Sequence, residues 1–314
     1  MSENKVVVIG ELNVDLIASG MTTSPQLGHE VLATDFQITL GSAAAIFACG
    51  AAKLGCPVTF VSQVGEDEFG EFCLRMLRRA GIQTNKVHKT PRLKTGVTLS
   101  LSTPHDRALV TYLGAIAALE PEQIPLAALD GHSHLHMTSY FLQQKLQPAF
   151  PQLFAEARRR GLTTSLDPNA DPALGWKEEI RDVISCADIL FVNESEARQL
   201  TKQNDLDQML RVLGEVVACA VIKLGAKGAA AIRCGAVEFV PAFPVETVDT
   251  TGAGDSFAAG FVYGWLKRRT LRECLELGAA CGALSTLQAG GTAGQPDEAQ
   301  LTRFLAAMKP RAPL

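Results

Sequence analysis

The run Asp249-Thr250-Thr251-Gly252-Ala253-Gly254-Asp255-Ser256-Phe257 leads straight into an apolar stretch over 258–267 with a helical pattern. Two glycines flanking one alanine let the backbone turn sharply and approach a ligand, and a helix starting there presents free N–H groups outward. Together they make a pocket for an anion. An aspartate at the mouth of such a pocket repels what it faces, so Asp255 makes little sense as a mere cap. Its chemistry suits taking a proton from an attacking hydroxyl. The competing reading is an ordinary loop that ends in an aspartate N-cap. Two other phosphate loops are excluded: neither Gly252-x-Gly254 nor the turn at Gly10 completes Gly-x-Gly-x-x-Gly, and no Gly-x-x-x-x-Gly-Lys-Ser/Thr occurs.

Lys223-Leu224-Gly225-Ala226-Lys227-Gly228 follows the apolar run 220–222, and its glycines let backbone come close to a nucleotide; alone, the segment is only a turn signal. Ser139-Tyr140-Phe141 offers an aromatic face to a sugar or a purine base, or else belongs to the core. His132-x-His134-x-His136 puts alternate residues on one strand face, but no neighbouring cysteine or carboxylate completes a tetrahedral set. They read as strand residues beside the core.

The scaffold that must hold these groups is visible in the apolar pattern. Val6 to Ile9 is a continuous run bounded by Gly10, which suits a strand buried on both faces of a parallel sheet. Helices are expected near 42–54, 68–80, 145–160 and 205–217, alternating with strands at 58–62, 133–137, 162–166, 188–192 and 219–223. A hairpin follows at 228–240, then helices at 254–268, 271–287 and 297–308. Such alternation predicts a doubly wound α/β fold, a mostly parallel central sheet flanked by helices. Segments 12–18, 29–38, 95–102 and 107–113 lack helices between consecutive pairs and predict a small inserted antiparallel sheet. We expect a single domain over 1–314, with a lid drawn from about 12–38 and 95–113.

Composition limits the partners. The 314 residues carry Lys+Arg 29 against Asp+Glu 33, a net charge of −4, so no global positive field exists to hold nucleic acid. Clusters such as Arg158-Arg159-Arg160 end apolar helical patterns, where cations suit the helix dipole. No stretch approaches the roughly 18 apolar residues of a membrane span, and the apolar run after Lys5 is too short for a secretory signal. Eight cysteines without a Cys-x-x-Cys read as reduced core residues. A cytoplasmic protein is expected.

Asp249-Thr250-Thr251-Gly252-Ala253-Gly254-Asp255 resembles, without a substitution, the C-terminal signature of the ribokinase-type (PfkB) carbohydrate kinases. The resemblance extends over nearly the whole chain through Gly10-Glu11-Leu12-Asn13-Val14-Asp15, Gly65-Glu66-Asp67-Glu68-Phe69-Gly70, Asn193-Glu194-Ser195-Glu196 and Lys223 to Gly228. It implies a ribokinase-like fold and ATP-dependent phosphorylation of a hydroxyl. Asp255 becomes the general base, and the Gly252, Ala253 and Gly254 amides the anion hole. Thr250, Thr251, Lys223, Gly225 and Gly228 fall beside ATP, and Asn13 and Asp15 at the sugar. Asn193 and Glu196 would organise Mg²⁺ through water, which agrees with that ion's preference for few direct carboxylates. Without the resemblance, the same pair reads as a solvated first helical turn. Carbonyls of Asp249 and Thr251, with the segment 285–294, match a place for a monovalent cation such as K⁺.

Two departures bear on substrate. The family's usual Gly-Gly-x-x-x-Asn is Gly41-Ser42-Ala43-Ala44-Ala45-Ile46 here, and Ile46 has only apolar surface to offer where the Asn contacts sugar hydroxyls. Gly41 and Ser42 still let backbone approach. In Asp167-Pro168-Asn169-Ala170-Asp171 the last residue stands where relatives acting on acidic sugars resemble Asp-x-Asn-x-Arg, and its charge argues against 2-keto-3-deoxygluconate. The expectation is a kinase for a primary hydroxyl of a neutral sugar, with Phe141 and Asn169 also at the substrate. The alternatives are a nucleoside (adenosine-type) kinase and a catalytically silent binding protein. An exposed lid edge invites a homodimer.

Overall fold

The computed structural model describes residues 4–103, 107–173, 175–176 and 179–308. The chain opens with β1 (Val6–Ile9), β2 (Asn13–Ser19), β3 (Asp35–Leu40), α1 (Ala43–Lys53), β4 (Val58–Gly65), α2 (Glu68–Arg79) and β5 (Gln83–Thr90). β6 (Gly96–Ser102) and β7 (Arg107–Tyr112) come next. Past several short 3₁₀ turns lie β8 (His134–Thr138), α3 (Phe150–Arg159), β9 (Thr163–Asp167), α4 (Glu179–Ser185), β10 (Ile189–Asn193), α5 (Glu194–Thr201), α6 (Leu206–Gly214) and β11 (Cys219–Lys223). The chain finishes with β12 (Ala229–Arg233), β13 (Ala236–Val240), α7 (Ala253–Leu266), α8 (Leu271–Ser285) and α9 (Glu298–Met308).

Nine strands form one sheet in the order β13-β12-β11-β10-β9-β8-β1-β4-β5. The ladder is parallel from β11 to β5, and β12 and β13 close one edge as antiparallel neighbours. β1 explains why its sequence shows no alternation: Val6 and Val8 enter one apolar cluster and Val7 and Ile9 the other, on the opposite face. Helices α1, α2, α7 and α8 contribute to the first cluster, and α3, α4 and α6 to the second. This is the doubly wound arrangement expected from the sequence. The strand order reverses at β1, which has β4 on one side and β8 on the other, and open α/β sheets bind ligands outside the carboxyl ends of the strands at such a switch. There Glu11, just past β1, accepts a hydrogen bond from Thr138 Oγ1 at 2.8 Å, so one buried carboxylate bridges the reversal.

A second sheet has the order β3-β2-β6-β7. Its strands were expected to be antiparallel, but β2 and β6 run parallel, with Asn13 opposite Gly96, while β2–β3 and β6–β7 are antiparallel. The segment between β3 and β6 passes through the main sheet and returns, which permits the parallel pairing. The strand expected at 29–38 begins only at Asp35 and runs on to Leu40, because Ser19, its register partner, is the last residue of β2. β5 and α4 were not anticipated, and of α5 only a first turn at Asn193 and Glu196 was, which is buried at Glu196 rather than solvated. β5 is mostly polar because it is the edge of the main sheet, and α4 and α5 span only about two turns each. The helix expected from 145 starts at Phe150, after a 3₁₀ turn containing Pro148. The cysteines are free thiols, with six buried.

The two sheets are joined by Asp67. As N-cap of α2 it accepts from the Gly70 amide at 2.9 Å, and it also accepts from the Thr95 amide and hydroxyl, at 2.8 and 2.7 Å, just before β6. Burial pushes its pKa up, but these hydrogen bonds and Lys94 outweigh that and hold it below the usual carboxylate value. Asp67→Ala should destabilise the protein by about 1–2 kcal/mol at pH 7, read as a lower urea midpoint. A depressed pKa in the folded state supplies stability above the unfolded value of about 4, so the gap should narrow as the pH drops below that value.

Candidate active site at the carboxyl ends of the central strands

The α7 start is built by a turn that only glycine fits. Gly252 is the N-cap residue with φ +69°, and a Cβ there would lie 2.8 Å from Ile46 Cγ2 and 2.9 Å from Gly291 Cα. Asp249 folds the approach: Oδ1 accepts from the Thr251 amide and hydroxyl at 2.9 and 2.8 Å, and Oδ2 from the Gly290 amide at 2.8 Å. The Val248 and Asp249 amides donate to the carbonyl of Thr286, just past α8. Among the described residues, the Gly252 and Gly254 amides have no backbone acceptor, as expected for a helix start. Ala253 differs from expectation. Its N–H points back to the Thr250 carbonyl at 3.2 Å, so two of the three proposed amides are left without a backbone acceptor.

Beside this turn lies a floor of buried charge. Asp167 ends β9, Asn193 ends β10 and Lys223 ends β11, since parallel neighbours bring their carboxyl ends together. Lys223 Nζ is 2.5 Å from Asp167 Oδ2, while Asp167 Oδ1 is buried without a hydrogen-bond partner. The same ammonium lies 3.2 Å from where a Gly254 Cβ would stand, so the second glycine makes room for a cation against the helix start. Desolvation pushes the pKa of Asp255 well up; Asp167 adds to this, Lys223 opposes it, and Glu11 and Glu196 add further. Burial and Asp167 likewise raise Glu196. Asp167 and Glu11 were not singled out in the sequence. Their signals were Asp167 directly before Pro168 at the end of the expected strand 162–166, and Glu11 directly after the Gly10 turn.

Asn193 and Glu196 turn on each other. Glu196 donates its amide to Asn193 Oδ1 at 2.9 Å, and Glu196 Oε2 accepts the Asn193 amide at 2.8 Å, the capping box of α5. The cap reading and a role toward a cation are compatible, because Glu196 sits in the same acidic cluster. No group of three His, Cys, Asp or Glu residues close enough to chelate a metal occurs among the described residues. The donor set therefore fits a Mg²⁺ that keeps its waters and arrives with phosphates. The histidines are held inside the sheet: His134 bonds Thr163 and Ser165, and His136 bonds Ser165 and stacks on Phe47 with centroids 3.6 Å apart.

The substrate candidates of the N-terminal half meet at one corner. Asn13 Nδ2 donates to Asp15 Oδ1 at 2.9 Å and to Thr98 Oγ1 at 3.3 Å, and a Cβ on Gly41 would fall 2.1 Å from Asp15 Oδ1. Ser42 is spent on structure: its hydroxyl donates to the Glu11 carbonyl at 2.6 Å and accepts the Ala45 amide at 3.0 Å, capping α1. Ile46 is 3% exposed and packs against Gly252 and Gly291. Phe141 packs edge-on against Trp176 and Tyr140, and Asn169 donates to Ser139 Oγ at 2.9 Å. Asp171 corrects an expectation. Its carboxylate accepts from the amides of Ala173, Gly175 and Trp176, so its charge shapes its own loop and no longer argues against an acidic sugar. On the far side, Gly225 and Gly228 have φ +59° and +114° around a 3₁₀ turn, and open space faces Gly225.

The model of the pfkB family of carbohydrate kinases matches residues 3–298. Among curated relatives, a 2-dehydro-3-deoxygluconokinase of Bacillus subtilis is 31% identical over 299 residues, covering 90% of this chain and 90% of its own length. A ribokinase of Haemophilus influenzae is 28% identical over 310 residues, covering 96% and 98%. The structure of Arabidopsis thaliana ribokinase complexed with ribose and ATP superposes with a TM-score of 0.84, at 24% identity, over 96% of this chain and 98% of that one.

Removing one partner of a buried ion pair leaves the other uncompensated. Lys223→Met should cost about 3–5 kcal/mol in chemical denaturation, and the double variant with Asp167→Asn should recover most of that loss.

Proposed function

The chain belongs to the pfkB family of carbohydrate kinases, and from that premise we propose that it transfers the terminal phosphoryl group of ATP to a primary hydroxyl of a neutral sugar. The observation that carries this reading is a titratable carboxylate, Asp255, beside the two amides of Gly252 and Gly254 left without a backbone acceptor. Phosphoryl transfer asks a protein mainly for positioning and charge stabilisation, and this corner can supply both. Asp255 takes the hydroxyl proton as oxygen attacks phosphorus; the amides hold the charge on the transferred group. ATP lies along Gly225 and Gly228, with Lys223, Thr250 and Thr251 at its phosphates. Asn193 and Glu196 would hold Mg²⁺, which when bound would supply positive charge against the phosphates. Carbonyls of Asp249 and Thr251 with the 285–294 loop are the place for K⁺.

Asn13 and Asp15 hold sugar hydroxyls, with Gly41 giving backbone access. Asp15 favours a neutral substrate over an anion. The β2, β3, β6 and β7 sheet acts as a lid on a single kinase domain, excluding water that would otherwise accept the phosphoryl group. A second reading, a nucleoside kinase, rests on the aromatic residues Tyr140 and Phe141 just beyond β8, while Trp176, which packs edge-on against Phe141, belongs to the core. The outer face of the lid favours a homodimer. Ile38, Leu16, Leu99 and Val110 form one apolar row across its four strands, on the face opposite Asp15.

A panel of ribose, fructose, 2-dehydro-3-deoxygluconate, adenosine and inosine, with ATP consumption as readout, identifies the acceptor; no turnover with any of them sinks the kinase reading. Asp255→Ala should lower kcat by about 10²- to 10⁴-fold while ATP affinity stays within about tenfold. Because Asp255 is raised well above the ordinary carboxylate value, wild-type kcat/KM should climb with pH on its acid side. Val110→Glu should turn a dimer into monomers in sedimentation velocity, with turnover retained.

A further inference from the structure

The lid carries a row of polar side chains on its inner face, and one member is unsatisfied. Thr39 of β3 is the register partner of Asp15 of β2, Asp15 pairs with Thr98 of β6, and Thr98 with Thr111 of β7. Residues in register share a sheet face, so these four stand in line. Thr98 is engaged from both sides, with Asn13 Nδ2 at 3.3 Å and Thr111 Oγ1 at 3.1 Å, and Asp15 accepts from Asn13. Thr39 Oγ1 is buried and has no hydrogen-bond partner. Leaving a hydroxyl dry and unpaired is unfavourable, and valine would fill the same volume without that penalty.

The surroundings of Thr39 say what satisfies it. Its methyl lies 3.3 Å from where a Cβ on Gly290 would stand. Gly290 donates to Asp249, the residue that folds the α7 turn, and Gly291 packs on Ile46. Thr39 thus reaches from the lid to the loop bracing the Asp255 corner, in register with Asp15 on its sheet face. We propose that Thr39 is a specificity-determining contact for a hydroxyl of the polyol substrate adjacent to the one that Asp15 holds. This rests on the kinase reading above, and it adds a residue whose sequence context gave no sign of a role.

The test compares wild type, Thr39→Val and Thr39→Ser with the acceptor identified by the substrate panel. Thr39→Val should raise KM for that acceptor about tenfold, while kcat and KM for ATP stay within about twofold and Thr39→Ser restores the wild-type KM. Without ligand, Thr39→Val should melt at or above the wild-type temperature, and its stabilisation by the acceptor alone should be smaller. An unchanged acceptor KM in Thr39→Val, or a loss of ligand-free stability showing that the hydroxyl serves the fold, overturns the proposal. A wild type inactive on the whole panel instead removes the kinase reading, and the proposal with it.

Discussion

Four carboxylates, those of Glu11, Asp167, Glu196 and Asp255, act on one another around a single buried ammonium, that of Lys223. The rest of the site follows from this imbalance. Buried charge is tolerated only when paired or hydrogen-bonded, and the fold meets that demand carboxylate by carboxylate: Glu11 through Thr138 and the Ala44 amide, Glu196 through its capping box, Asp167 through Lys223. For Asp255 desolvation is the largest influence and pushes its pKa well up, with Lys223 opposing it. A group in that state is poised to hold a proton, as a base taking one from a hydroxyl requires.

A nucleotide brings more negative charge to a place already rich in it. The favourable terms are the helix start of α7, the Gly252 and Gly254 amides, Lys223, and any cation that arrives with the phosphates. Strand order makes the convergence possible, because β9, β10 and β11 are parallel neighbours ending at one level. Had β10 run antiparallel, Asn193 would sit at the opposite edge of the sheet from Asp167 and Lys223.

The Asp255 corner was legible in the sequence because glycines at fixed spacing before an apolar helix constrain backbone whatever the tertiary context. The parallel core was legible for a similar reason, since β1 and β10 are apolar without alternation. What could not be read depends on the conformation of short turns or on distant partners. The Ala253 amide bonding Thr250 and Asp171 turning into its own loop are turn conformations that residue types alone do not dictate, and only the tertiary fold places Ile46 between two glycines more than 200 residues away. Asp167 and Glu11 went unnoticed because a lone acidic residue after a strand is common, and only the sheet order gathers them. β5 was missed because an edge strand can be polar.

The second sheet shows how one periodicity can serve two tasks. Side chains alternate along a strand, so a register that aligns Thr39, Asp15, Thr98 and Thr111 on one face necessarily aligns Ile38, Leu16, Leu99 and Val110 on the other. A slip of one residue would turn the acidic side chain outward and drive leucines toward the charged floor. The parallel pairing of β2 with β6 holds this register, and Asp67 anchors it where Thr95 enters β6. A carboxylate far from Asp255 in the chain therefore helps to set the register of the second sheet, which is why the cap of α2 belongs to the proposed lid as much as to stability.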